Sequence, residues 1–393
     1  MTSDQWWFGI KFARSALQRP LPLLDKAHRP FHLILSDSIQ RRLFLVARDA
    51  AGALRGEDRI QSDAMRERYL MRSLMEEAMT SSQLEGAATT TQVAKDMLRS
   101  GRQPHDYGER MIWNNYAAMR ELRHWQQRPL TPDAIFEMHR LLTDGTLENP
   151  ECAGRLRRAD EDIVVEDETG TVLHIPPAAR ELPSRLQALC DFANQGDDHE
   201  HFLHPVVRAI VIHFQIGYDH PFCDGNGRTA RALFYWSMLR SGFWMAEYLS
   251  ISSILRQAPG QYMRSYLLTE TDASDVTYFV SHQLDVLLKA IEGVHGYIAR
   301  KQREQADATA LLKPGSKLAR LLNHRQRALL LNALKNPDKL FTIEVHRRTH
   351  DVSYQTARSD LLGLVEARLM SQQRLGKAFV FVARPDLPGK LPS

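Results

Sequence analysis

Cysteine is scarce in this chain: three among 393 residues, Cys152, Cys190 and Cys223, far apart and without a CxxC pair. At least one has no intramolecular partner, so a disulfide framework is excluded and a reducing compartment is expected. Charge of one sign is not in large excess either. A net charge of +4 does not by itself imply a polyanionic partner for the whole chain. Long apolar runs are missing, since the stretch 206–214 is short and interrupted by Arg208 and His213, which excludes a membrane span there. The first residues carry Asp4 and no apolar segment with a small-residue cleavage site, so no secretory leader is expected, and the cytoplasm is the expected location. There is no internal repeat and no low-complexity tract. No Gly-Lys-Ser/Thr follows a glycine loop, and no glycines have dinucleotide-fingerprint spacing, which excludes the two commonest nucleotide loops. Hydrophobic residues at 43% suffice for a buried core, and the length allows about two or three domains.

What is present is concentrated in twelve residues, His220-Pro-Phe-Cys-Asp-Gly-Asn-Gly-Arg-Thr-Ala-Arg231. Gly225 and Gly227 allow successive main-chain N–H groups to turn toward one point, a nest for an anion. A helix follows from Arg228 to Ser241, ended by Gly242, so the nest lies at a helix N-terminus, where a phosphate is favoured. Arg228 and Arg231 stand one turn apart and suit phosphate oxygens. Asp224 supplies a hard oxygen for Mg²⁺ bridging phosphates, and His220 is a base able to take the proton of an attacking hydroxyl. Singly these residues read as caps, turns and surface charges. Together they read as a nucleotide site.

The string resembles the signature of Fic-domain proteins, His-x-Phe-x-Asp/Glu-Gly-Asn-Gly-Arg-x-x-Arg, with every specified position present. The resemblance implies that His220 is the general base, that Asp224 holds Mg²⁺, and that Gly225, Asn226 and Gly227 cradle phosphate. It assigns Arg228 and Arg231 to the outer phosphates and Phe222 to an apolar anchor. Cys223 occupies a variable position and is read as a packed thiol. The implied reaction is AMP transfer from ATP to a protein Ser, Thr or Tyr hydroxyl.

Upstream, Arg66–Leu84 has an amphipathic helical pattern and runs into Ser81-Ser-Gln-Leu-Glu85-Gly86. By itself this is a helix end with a terminal glycine. It also resembles the family's inhibitory motif, Ser/Thr-x-x-x-Glu-Gly/Asn, with Ser81, Glu85 and Gly86 in place. That implies a carboxylate set against Arg231, which blocks the productive pose of ATP.

Residues 1–58 hold Pro20, Pro22 and Pro30 and a helix expected near Ser36–Leu54, closed by Gly56. Trp6, Trp7 and Phe8 are expected to pack against the body. Thr89–Thr91 cap a helix through Leu98, stopped by Gly101, and further helices are expected at Tyr107–Trp125 and Pro132–Leu142. Residues 163–165 and 171–175 flank Glu168-Thr-Gly170 as a hairpin. By resemblance this is the flap that pairs with a target segment, and Thr171, Val172, Leu173 and His174 are nucleotide contacts; an ordinary surface hairpin is the competing reading. His204 and His213 lack zinc spacing and are read as capping or packed. The segment Tyr262–Ile291 is expected to be helical, and the resemblance places Tyr262 and Met263 in the adenine pocket, Met263 replacing an aromatic.

A polar stretch, Lys301–Lys313, ends in Pro314-Gly315 and reads as a linker. Beyond it, residues 316–393 carry 14 Lys and Arg against 6 Asp and Glu. The expected pattern is a helix at Arg325–Leu334, a short strand at Phe341, a helical turn at Val345–Thr349, a helix capped by Ser353, and a ribbon turning at Arg374–Lys377. It resembles a winged helix-turn-helix, with Tyr354, Gln355 and Arg358 facing a groove and Arg374 and Lys377 on phosphates. Protein binding or dimerisation is an equal reading.

The expected fold is mainly α: a Fic-type helical bundle with a β-hairpin flap and a small C-terminal winged-helix domain. The expected divisions are 1–105 (with the inhibitory helix at about 66–86), 106–300, a linker 301–315, and 316–393. The expected activity is protein adenylyltransfer, restrained by Glu85, with ATP as substrate and Mg²⁺ as cofactor. Removal of AMP through a Glu85-positioned water, and nucleotide-sensing DNA binding without transfer, are the alternatives. The expected partners are a hydroxyl-bearing protein, the chain itself as acceptor, DNA, and a second copy in a homodimer; no membrane is among them.

Overall fold

Side-chain caps and apolar stripes divide this chain into helices. The computed structural model describes residues 2–51, 63–161, 163–166, 169–196, 198–312, 321–336, 339–375 and 378–384. The order is α1 (Ser3–Ser15), β1 (Arg19–Leu24), β2 (Pro30–Leu33), α2 (Asp37–Ala50), α3 (Asp63–Leu84), α4 (Thr91–Ser100), α5 (Tyr107–Trp125) and α6 (Pro132–Thr143). Next come β3 (Val165–Glu166), β4 (Val172–His174), α7 (Leu182–Ala193), α8 (Pro205–Asp219), α9 (Asn226–Arg240), α10 (Ile251–Leu255), α11 (Pro259–Thr271) and α12 (Thr277–Leu311). The chain ends in α13 (His324–Lys335), α14 (Ile343–His350), α15 (Tyr354–Glu366), β5 (Met370–Leu375) and β6 (Ala378–Ala383). The fold is mainly α, and its strands form three two-stranded antiparallel sheets among the described residues.

The chain divides into two compact units, residues 1–53 with 70–292, and residues 54–69 with 293–393. In the first unit, α8 is the central element. Val206, Val207, Ala209–Ile212, Phe214 and Ile216 are buried on every side of it, as expected for a helix surrounded by others. α9 packs against it and is buried from Arg228 to Leu239, with α5 and α6 against α9 and α7 against α8. The expected boundary near residue 105 has no counterpart in this division, because the N-terminal elements belong to the same unit as α8 and α9.

Local signals set most helix ends. Thr90 caps α4, which stops at left-handed Gly101; Asp106 caps α5 and Thr131 caps α6. Two expectations fail. α1 and the β1–β2 hairpin lie where only prolines and a later helix were anticipated. Trp6, Trp7 and Phe8 do not pack inward: Trp6 is 60% and Phe8 72% exposed. The polar side of α1 is what docks, through Lys11–Asp272 and Arg14–Asp275 ion pairs, and this turns the aromatic residues outward. The segment 262–291 is helical as expected, in two pieces: left-handed Ala273 and Ser274 separate α11 from α12, where Ser274 O accepts from His32 N and Ser274 Oγ donates to Asp25.

The expected linker is helix through Leu311, since its Lys, Gln, Arg, Glu and Ala residues are good helix formers as well as polar ones. Pro314, Gly315, the proposed helix end at Leu54–Gly56, and Gly376 and Lys377 of the ribbon turn lie outside the described residues. In the second unit, α13, α14 and α15 enclose Leu329, Leu330, Leu361, Leu364 and Phe381. Phe341 pairs with Phe381 on the β5–β6 ribbon. Asp360 is buried at its centre and accepts from Asn323, Arg325 and His346.

Candidate active site

α8 ends at His220, whose φ of 45° is left-handed, an unfavourable conformation for a residue with a β-carbon. The turn aims the imidazole out of the core. Nδ1 lies 3.0 Å from Gly217 O, and a carbonyl can only accept, so Nδ1 carries the proton and Nε2 keeps its lone pair. Burial holds the ring below its ordinary pKa, outweighing the Gly217 bond and the Glu85 charge, and so it is neutral at pH 7. The backbone here is pinned by Arg157, which is buried and donates to His220 O and Pro177 O, while its own N–H meets Pro221 O.

The loop after His220 is fixed from beneath. Phe222 is fully buried and stacks on His139 at 3.9 Å. His139 Nε2 donates to Asp224 O at 2.8 Å and its Nδ1 accepts from Gly154 N at 2.9 Å. Burial pushes this imidazole down to about 4. The Asn226 side chain closes a ring with Phe222, accepting from its N–H and donating to its C=O, so the amide acts inside the loop and not toward a ligand. Gly225 begins α9 with a φ of 79°, and a β-carbon there would stand 2.7 Å from Thr143 Cγ2.

Cys152, Glu161 and Cys223 bring ligand atoms within 4.8 Å of one another below this loop. Both thiols donate to Glu161, and Arg155 binds the same carboxylate, so a guanidinium already supplies the positive charge. Burial pushes the Cys223 thiol up to about 12, which suits a packed, protonated cysteine.

The two motif arginines differ in role. Arg228 is fully buried, donates to Leu142 O and lies 3.4 Å from Asp224 Oδ2. Arg231 is bound on one side by α3: Nε donates to Ser81 Oγ at 2.8 Å, and Nη2 to Ser81 O at 3.0 Å and Glu85 Oε1 at 2.9 Å. Burial alone would raise the Glu85 carboxyl, but Arg231 prevails and holds it below the usual range, hence ionised. Gly227 makes room for this contact, because a β-carbon there would meet Glu85 Oε1 at 2.2 Å. Gly86, at φ 92°, ends the helix just beyond.

Asp224 presents a side chain that is 47% exposed, with one oxygen on Gly225 N and the other beside Arg228. A lone accessible carboxylate fits a cation that brings its remaining oxygens with it. Tyr262 is partly buried, bonds His213 through its hydroxyl at 2.8 Å, stacks toward His282, and lies in the field of Arg231. Met263 is partly buried next to it. The β3–β4 hairpin exposes Thr171 and Val172 and half-buries Leu173. His174 is buried at its root, with one nitrogen on Tyr218 O and the other on Glu270, so its ring is already fully engaged. His204 caps α8 and His213 is fully buried.

His139, Arg157 and Glu161 were not foreseen. His139 sits among the apolar residues of an amphipathic helix, Arg157 in a basic run, and Glu161 among loop acids, so no local pattern distinguishes them.

Residues 129–238 match the family model described as the Fic/DOC family. Among curated proteins, "Protein adenylyltransferase Fic" of Nematostella vectensis is 37% identical over 114 residues, 29% of this chain and 24% of that protein. "Protein adenylyltransferase fic-1" of Caenorhabditis briggsae is 29% identical over 183 residues, 46% of this chain and 33% of that protein. The matched stretches thus span about a quarter to a third of these relatives. A Fic family protein from Desulfovibrio desulfuricans has a similar fold, with a TM-score of 0.57 at 18% identity over 89% of this chain and 97% of that one. Fic-1 from C. elegans gives 0.51 at 24% identity over 67% and 73%.

Proposed function

We propose that this chain transfers AMP from ATP to a hydroxyl of a protein, itself included, and that Glu85 restrains the reaction. The observation that carries the reading is His220, with Nδ1 committed to Gly217 O and Nε2 left basic, at the entrance to the Gly225–Arg231 helix start. Nε2 takes the proton of the target hydroxyl as its oxygen bonds to the α-phosphorus; the bond from that phosphorus to the pyrophosphate oxygen breaks, and pyrophosphate leaves. The N–H groups at the start of α9 and the guanidinium of Arg231 hold the leaving oxygens. Asp224 would hold Mg²⁺, which neutralises phosphate charge when bound. Arg228, being buried against Leu142 O, acts chiefly by keeping Asp224 and the loop in place.

In the restrained state the Arg231 guanidinium is taken by Ser81 and Glu85, and Glu85 fills the space above Gly227. A terminal phosphate needs both. The Thr171–Leu173 edge of the hairpin, exposed at Thr171 and Val172, is the proposed seat of the target segment, with Tyr262 and Met263 beside the base. The second unit is read as a winged helix: Tyr354, Gln355 and Arg358 are exposed on α15, which fits DNA or a protein surface, with a second copy of the chain among the candidates. No described helix is long and apolar enough to cross a membrane, and the cytoplasm is the proposed location.

The test is the intact mass of wild type, Glu85→Gly, and Glu85→Gly with His220→Ala, each incubated with ATP and Mg²⁺. Gain of one AMP by Glu85→Gly alone is expected; equal labelling of the His220→Ala form would overturn the assignment of the base. A second reading rests on the ionised Glu85 acting on His220 across the site, since such a carboxylate can orient water against an AMP-modified side chain. Faster loss of AMP from a pre-modified protein with wild type than with Glu85→Gly would favour it. Retention of ATP-dependent DNA binding by His220→Ala, with no transfer by any form, would instead favour a sensor.

A further inference from the structure

Four polar residues recur every fourth position, Ser73, Glu77 and Ser81 along one face of α3 and Glu85 in the turn that follows its last residue. The last two hold Arg231. The first two hold a different segment. Ser73 Oγ donates to Tyr248 O at 2.6 Å, and the Glu77 carboxylate accepts from Ser250 Oγ at 2.9 Å, Ser252 N at 3.0 Å and Ser252 Oγ.

Glu77 is 1% exposed and makes no ion pair among the described residues. A buried carboxylate is tolerated only while its lone pairs are met, and all three of its donors come from residues 250–252. That segment is tied to α9 in turn, since Ile251 N donates to the Tyr235 hydroxyl at 2.9 Å and the hydroxyl reaches Leu249 O. Tyr235 and Arg231 are one turn apart on α9. Two routes therefore connect α9 to α3: Arg231 directly to Ser81 and Glu85, and Tyr235 through residues 249–252 to Glu77.

Resting on the reading of Glu85 as restraint, we infer that Glu77, with Ser250 and Ser252, is a positioning group that fixes the register of α3 and so keeps Glu85 on Arg231. A slip of one residue along the helix moves Glu85 by about 1.5 Å and turns it by about 100°, which removes it from the guanidinium. Glu77 lies two turns away from the phosphate seat and touches no residue assigned to ATP. Its charge reaches Arg231 only through space, a field that Glu77→Gln removes and the serine changes keep.

The experiment compares AMP incorporation by the full chain, read by intact mass, in Glu77→Gln, Ser252→Ala and Ser250→Ala, alone and combined with Glu85→Gly. Glu77→Gln turns N–H groups toward donors, and the serine changes remove those donors from the other side. Each is expected to raise transfer at least tenfold above wild type, short of Glu85→Gly, and to change Glu85→Gly by less than twofold. Damage to the fold would lower both backgrounds equally. Hydrogen exchange of amides 79–86 is expected to be at least tenfold faster in the three variants.

Wild-type transfer and wild-type exchange in a folded Glu77→Gln would overturn the inference. If Glu77→Gln does not fold, the serine variants decide by the same two readings. Should Glu85→Gly transfer nothing, the adenylyltransfer reading fails on its own, and the exchange rates still decide whether Glu77 anchors the helix.

Discussion

Glu85 Oε1 stands where the β-carbon of any residue but glycine at 227 would be, 2.2 Å from that position. The glycine at the start of α9 thus leaves just enough room for the Glu85 carboxylate. In the same place Arg231 Nη1 would lie 3.0 Å from the added carbon. Both neighbours would have to give way.

Gly227→Ala is accordingly expected to destabilise the wild-type chain by about 1–3 kcal/mol, the usual cost of an extra methyl in a filled site. In a Glu85→Gly background the carboxylate is gone, and the cost should fall to less than half. Denaturant unfolding of the four forms measures the difference. Equal costs in both backgrounds would mean that Glu85 does not occupy this space in solution.

His139 links stability to pH. Its folded value of about 4 lies below the ordinary 6.5 because the ring is buried and Nδ1 accepts from Gly154. Between these values the unfolded chain binds the extra proton, so stability rises with pH there. The contribution is complete above 6.5 and is lost as pH falls toward 4, on the order of 3 kcal/mol in all. His139→Gln cannot titrate and should show a flatter stability profile from pH 7 to 4.5 by chemical denaturation. A profile as steep as wild type would assign the acid sensitivity elsewhere.

Arg157 holds the main chain of the His220 turn, and its charge adds to the burial that keeps the ring neutral. Arg157→Ala, in the Glu85→Gly background, should slow transfer by roughly ten- to a hundredfold through misplacement of His220. The KM for ATP should change by less than threefold, because no contact to the start of α9 is lost. A large rise in KM with normal kcat would show that Arg157 serves nucleotide binding instead.

In the second unit, Asp360 answers Arg325, Asn323 and His346 from a buried position. Asp360→Ala leaves buried His346 and half-buried Asn323 and Arg325 without their acceptor and should cost that unit about 1–3 kcal/mol. Hydrogen exchange would rise across α13–α15 while AMP transfer by Glu85→Gly persists. Loss of transfer in parallel would mean that the two units depend on one another.

Legibility in the sequence followed the range of the forces involved. The span of α5 could be read to the residue, and α4 nearly so, because Asp106, Thr90 and Gly101 act within a single turn. The segment 220–231 stands out for the same reason, its candidate groups being compressed into twelve consecutive residues. Glu85 was legible as a motif, but its contact with Arg231 spans 146 positions and appears only in three dimensions. Asn226 and Arg228 look like ligand groups in the string, yet the Asn226 amide closes the loop on Phe222 and Arg228 is buried against Leu142 O of α6. The polar residues 301–311 were ambiguous in principle: the composition of a solvated linker is also that of a solvated helix. Trp6, Trp7 and Phe8 misled because hydrophobicity predicts burial only on average, and the two ion pairs of α1 decided which side faces inward.

The left-handed turn at His220 has a conformational cost, shared with Ala273, Ser274 and a few other described residues. At that φ glycine is the comfortable residue, and a β-branched or bulky one is strained, so the imidazole is held against the preference of its own backbone. His220→Gly should therefore yield an inert protein that is as stable as the parent or more so. On the proposed reading, the histidine in that turn is where the chain trades durability for chemistry.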